Sequence, residues 1–213
     1  MKAIPYRELT KSLAKISFLR RFFSDPNQPE FFRPSQSVFD YQMADLRKYA
    51  REYGTDVRRY PEFLESATPE RMFSVLSLLC SWKYINRKPM SLIERHALAL
   101  PGLFAEVNNG GFHQYFFNSA GDDWDALDWG FETSGDLKSL ERFRKVLAIF
   151  PKGSPYRNRA FRWKQLEALG EKEHEVFEPH TKAFFEAPFP ELEFSYRFIF
   201  SRIEEFHFTW PEL

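Results

Sequence analysis

Glu106-Val-Asn-Asn-Gly-Gly-Phe-His-Gln-Tyr-Phe-Phe-Asn-Ser-Ala-Gly121 is the stretch on which the reading of this chain turns. Two adjacent glycines inside a helix cost about 1 kcal/mol each relative to alanine. The neighbouring asparagines favour caps and left-handed backbone. The cheaper arrangement is a helix break over Asn108–Gly111, with one helix closing near Val107–Asn109 and the next opening near Gly111. Glu106 is expected to receive free amides at the start of that second helix, where a carboxylate meets the positive dipole end. Asn108, Asn109, Gly110, Gly111, Phe112, His113, Gln114 and Asn118 complete the candidate cluster. Three readings are open for it: a buried polar knot that sets an interhelical angle, a ligand or catalytic pocket lined by Glu106, His113 and Gln114, or a contact for a partner.

Outward from this elbow, helical spacing dominates. Thr68-Pro69-Glu70 places an N-cap, a first-turn proline and a carboxylate in the order that starts a helix. Its apolar run to about Tyr84 puts that helix at the centre of the core. Ser91 and Glu94 form a capping box leading toward Leu100. Phe104 to Val107 begins another helix. Trp124, Leu127 and Phe131 mark the next, and Leu137 to Phe150 one more, ended by Pro151. Helices near 158–169, 173–187 and 191–207 follow. Toward the N-terminus, Leu9, Leu13, Ile16, Leu19, Phe22 and Phe23 form an amphipathic stripe ending at Asp25-Pro26. Pro26, Pro29 and Pro34 then make a strap, and Ser37 with Asp40 opens a helix stopped by Gly54. No alternating Val/Ile/Thr-rich strand is visible. The expected fold is an all-α, multi-helix globular bundle of about nine or ten helices.

Composition narrows the function. The 213 residues hold 25 Phe, 9 Tyr and 5 Trp, so a large core is available and global disorder is excluded. Lys+Arg and Asp+Glu are both 30, which leaves no overall field to steer the chain to nucleic acid or an anionic membrane. The single cysteine, Cys80, lies in an apolar run and reads as a buried thiol. No segment has the length of apolar sequence a membrane span requires, and the charged N-terminus lacks a signal-peptide core, so a cytoplasmic location is expected. His96, His113, His174, His180 and His207 share no ligand spacing, and no catalytic motif is present. No metal, cofactor or catalytic residue is expected.

The motif from Glu106 to Gly121 resembles the signature of the bacterial DNA-mimic protein C-terminal domain family. The likeness extends over roughly residues 68–207, which divides the chain into an N-terminal helical extension, 1–67, and an all-α domain, 68–213. The resemblance implies a non-enzymatic binding protein. The family's named member acts as a dimer whose carboxylates imitate DNA phosphates and occupy a transcription factor's DNA-binding face. The expected partner is therefore a protein, basic or DNA-binding, and a homodimer is implied. The alternatives are an enzyme or small-ligand binder using Glu106, His113 and Gln114, and an immunity protein that neutralises a toxin.

Mimicry needs a dense acidic face. Asp122, Asp123, Asp125, Asp128, Glu132 and Asp136 fall in a stretch without Lys or Arg, and the last four are spaced to line one helical face. One carboxylate per ~5–6 Å of helix is sparse beside one phosphate per ~1.7 Å of duplex. Glu167, Glu171, Glu175 and Glu178 repeat the spacing, and Gly130, Gly135 and Gly170 are placed to break both stripes. The other possibility is an ordinary solvated acidic surface. Two basic stretches oppose these acids. Residues 1–24 carry six cations against Glu8. Residues 152–164 carry Lys152, Arg157, Arg159, Arg162 and Lys164 interleaved with Tyr156, Phe161 and Trp163. The second suits nucleic acid or an acidic partner, or is a basic loop and helix whose aromatics enter the core. The balance of charge argues against nucleic acid.

Overall fold

The computed structural model describes residues 25–29, 40, 44, 47, 48, 69–170, 172–187 and 192–206. The helices expected before residue 69 lie largely outside them. Among the described residues there are seven α-helices and no strand: α1 (Pro69–Ile85), α2 (Leu92–Phe117), α3 (Trp124–Ser134), α4 (Leu137–Leu147), α5 (Arg159–Glu167), α6 (Glu173–Glu186) and α7 (Leu192–Ser201). Three-residue to five-residue 3-10 turns sit at Ser119–Asp123, Pro151–Gly153 and Ile203–Glu205. The all-α expectation holds.

The centre of the bundle is α2, not α1. Helices α1, α3, α5 and α6 all pack on α2, and α7 packs on α1. Along α2, Ala97, Leu100, Leu103, Val107, Phe112, Tyr115 and Phe116 are buried. Helix α1 buries Phe73, Leu76, Leu79, Cys80 and Lys83, a one-sided stripe at helical spacing. Serines at 77 and 81 lie among its partly exposed positions, which the overall apolarity of the run conceals.

The start of α2 follows its local chemistry. The Ser91 hydroxyl accepts from the Glu94 amide at 3.3 Å, and the Glu94 carboxylate accepts from the Ser91 amide at 2.8 Å. Glu94 then receives Lys83 Nζ at 2.7 Å on both oxygens, so a buried ion pair ties α1 to α2. Helix α2 runs through Pro101-Gly102, where the sequence suggested two separate helices.

The glycines divide the stripes differently from expectation. Gly135 ends α3 with φ 78°, and Asp136 beyond it caps α4 by accepting from the Ser139 amide. Asp136 therefore does not share a helical face with Asp128 and Glu132. Gly130 leaves α3 unbroken. A Cβ at that position would overlap the His96 imidazole, so glycine there serves close approach.

Candidate functional site

The elbow is present and falls on the glycines. Helical geometry holds through Asn109, then Gly110 takes φ −161°, ψ 24° and Gly111 takes φ 76°, ψ −175°. Gly111 is needed twice over. Its positive φ disfavours any side chain, and a Cβ would sit 2.7 Å from Thr181 Oγ1 on α6. That hydroxyl accepts the Phe112 amide at 3.1 Å, so Thr181 caps the second half of α2. Glu106 was expected in this role. The capping oxygen comes instead from a residue 69 positions away in sequence.

Glu106 holds the elbow from its inner side. Its Oε2 accepts from Gln114 Nε2 at 2.7 Å and from Asn118 Nδ2 at 2.8 Å, linking one half of α2 to the other. The polar knot is thus built from Glu106, Gln114 and Asn118. Asn108 and Asn109 are exposed. Phe112 is buried edge-on against Phe184. His113 turns to α6, where its ring lies 3.8 Å from the ring of His174, and it also packs against Phe117 and Phe177. Of the three residues proposed to line one pocket, Glu106 and Gln114 bond each other and His113 packs on His174 of α6. The histidine pair was missed because its members lie on different helices. Among the described residues no group of three or more His, Cys, Asp or Glu is placed to hold a metal ion.

The acidic stretch is met by arginines from elsewhere in the chain. Arg95 of α2 reaches Asp123 at 2.7 Å and also pairs with Asp125. Arg157 reaches the same two carboxylates at 3.2 Å each. Arg144 of α4 bonds both oxygens of Asp128 at 2.8 and 2.9 Å and approaches Glu132 at 3.2 Å. Asp122 is buried and pairs with Arg162 Nη2 at 2.6 Å.

Arg162, fully buried, is a hub that the sequence hid within a basic run. Its five N–H groups meet five acceptors. Nε donates to Phe116 O at 2.6 Å, and Nη1 donates to Tyr156 O and Arg157 O at 2.8 and 2.7 Å. Nη2 donates to Asn118 O at 2.8 Å and Asp122 Oδ1 at 2.6 Å. Two of these carbonyls belong to the end of α2, where helical carbonyls lack partners. The hub thus fastens the C-terminus of α2, the acidic turn and the entry to α5. That entry is tied to the N-terminal strap as well. Asn158 donates its amide to Pro26 O at 2.8 Å and its Nδ2 to Gln28 O at 3.1 Å, and its Oδ1 caps α5 at the Ala160 amide.

Two buried groups in this region titrate against each other. Burial, only partly offset by Arg162, raises Asp122 from its ordinary 3.8 to about 6. Burial lowers His96 from 6.5 to about 4, although its Nδ1 lies 3.1 Å from Ala126 O. A raised carboxyl contributes stability that is present below pH 3.8 and lost as pH rises through 6. A lowered imidazole contributes stability that is present above pH 6.5 and lost as pH falls through 4. Each displacement corresponds to about 3 kcal/mol, so in the wild type the two nearly cancel. Asp122→Asn should expose the histidine alone. Urea denaturation at pH 7 and pH 4.5 is expected to show a loss larger than wild type's by about 2–3 kcal/mol. Equal losses in both proteins would refute the opposition.

None of the curated proteins and none of the solved structures matches this chain. A protein-family profile described as DMP19-like protein matches residues 88–202. The matched span is shorter at both ends than the resemblance drawn from the motif, but it holds all of α2 through α7, including the elbow, the acidic turn and the Arg162 hub. It covers more than half of the sequence, so the chain belongs to the DMP19-like protein family, a DNA-mimic family.

Proposed function

We propose that this chain is a non-enzymatic protein-binding module that acts in the cytoplasm and offers an acidic edge to a basic partner, such as the DNA-binding surface of a regulator. Family membership supports this reading. The observation that carries it is how the six carboxylates divide. Asp122, Asp123 and Asp125 face Arg95, Arg157 and Arg162, so their charge is spent inside the domain. Asp128 and Glu132 share the single guanidinium of Arg144, Asp136 caps α4 at the Ser139 amide, and Glu132 keeps 60% of its side chain exposed. The outer edge of α3 therefore retains net negative charge. Exposed ion pairs of this kind are worth about 0–1 kcal/mol, so a basic partner can compete with Arg144 for them.

The Glu106 cluster supports the same reading by a different route. Both contacts of Glu106 with Gln114 and Asn118 bridge the two halves of α2, so this carboxylate acts as an internal tie. Residues 1–67 are proposed as an extension held to the family domain at Asn158.

The test is affinity purification from the native cell with wild type and with Asp128→Asn/Glu132→Gln, read by quantitative mass spectrometry. A basic protein recovered by wild type in a salt-sensitive manner should be depleted about tenfold by the variant. Equal recovery would move the contact away from α3.

A further inference from the structure

The basic run at 152–164 divides as sharply as the acidic one. Arg157 and Arg162 turn inward to the aspartates. Lys152, Arg159 and Lys164 form no ion pair among the described residues. Arg159 lies over the Trp163 ring at 5.0 Å, and Lys164 lies over the Phe161 ring at 5.5 Å. Trp163 stacks on Phe117 with centroids 4.9 Å apart and planes 19° apart, and its Nε1 donates to Phe117 O at 2.6 Å. Phe117 stacks in turn toward His113 at 6.0 Å and 23°. The result is a ladder of near-parallel rings crossing from α5 to α2, with cations beside it. Phe117 remains 44% exposed at its centre.

We propose that the solvent side of α5, with Phe117, is a docking surface for an acidic segment of a protein partner. It is a second contact, independent of the acidic edge on α3. The charge decides the sign: Lys152, Arg159 and Lys164 outnumber Glu167, the one exposed carboxylate on α5, and outward ring edges carry the positive end of the aromatic quadrupole. The stacking decides the class. Single-stranded nucleic acid is held by bases stacking on free ring faces. Here Arg159, Phe117 and His113 already occupy those faces, and three cations are few for a phosphate backbone. A carboxylate-rich peptide needs only the cations and the ring edges. Exposed Phe117 beside half-buried Trp163 and Arg159 also matches the composition of interface hot spots.

The experiment is fluorescence anisotropy on the full chain with three labelled probes. They are a short peptide alternating Asp with Phe, the same peptide with Asn for Asp, and an oligothymidylate. The Asp peptide is expected to bind more tightly than the other two. Arg159→Ala/Lys164→Ala should weaken it by about tenfold, and Lys138→Ala/Lys182→Ala, which removes the same charge from other exposed helices, should not. Circular dichroism confirms that both variants fold. Equal binding of the Asn peptide, tighter binding of the oligonucleotide, or indifference to Arg159→Ala/Lys164→Ala overturns the proposal. Because the probe is acidic, none of these outcomes bears on the basic partner of α3.

Discussion

Arg162→Met is expected to cost about 3–5 kcal/mol of stability, the range for removing one partner of a buried ion pair. Methionine fills much of the arginine's volume, so the loss reports on polar groups more than on a void. The carbonyls of Phe116, Tyr156 and Arg157 would lose the donor that Arg162 now supplies, and that of Asn118 would keep only the Gly121 amide at 3.2 Å. Asp122 would be left with neither oxygen paired, since its Oδ2 is already buried without a partner. For a domain of this size the melting temperature should fall by roughly 6–20 °C. Arg162→Lys should recover little, because an ammonium has three donors for the five acceptors. Asp122→Asn should cost less than Arg162→Met at neutral pH, because the amide oxygen can still accept from Nη2. A loss below about 1 kcal/mol for Arg162→Met, within the range of an exposed pair, would mean that the hub is incidental.

That hub marks the limit of what the sequence makes legible. Periodicity finds the helices because each needs only its own residues to declare an apolar face. The capping box at Ser91 and Glu94 and the elbow at Gly110-Gly111 are legible for the same reason, being local in the chain. What satisfies the elbow is not local. Thr181 reaches Phe112 from α6, and Arg162 reaches Phe116 from α5. An arginine between Phe161 and Trp163 carries no mark that distinguishes it from half-buried Arg159, three residues earlier. The acidic stretch misleads in the same way. Its lack of nearby Lys or Arg suggests an unopposed stripe, yet the fold supplies Arg95, Arg144, Arg157 and Arg162 from three other helices and a loop. Charge balance is a property of the surface, which a window along the chain does not see.

Gly130→Ala is the second large effect, and it sets two principles against each other. In an exposed helix interior the change would add about 1 kcal/mol of stability through helix propensity. At this position the new methyl would overlap His96 at Nδ1, Cε1 and Cγ. The imidazole has nowhere to retreat: Trp129, Phe131 and Phe198 meet it edge-on at 6.4, 5.9 and 5.9 Å, and its Nδ1 is held at Ala126 O. Either α3 must move away from α2 or the ring must leave its site. Overpacking in a dense core costs about 1–3 kcal/mol and sometimes more, and the rigidity of this cage places Gly130→Ala at or above the upper end. Gly135→Ala is the useful contrast, because nothing lies within 4 Å of its Cβ position and only the left-handed φ of 78° is strained. It should cost about 1 kcal/mol. A double-mutant cycle isolates the cause. In a His96→Ala background the obstruction is gone, and Gly130→Ala should turn from strongly destabilising to neutral or favourable. If the penalty persists without the imidazole, the glycine is required by α3 itself and not by the approach of α2.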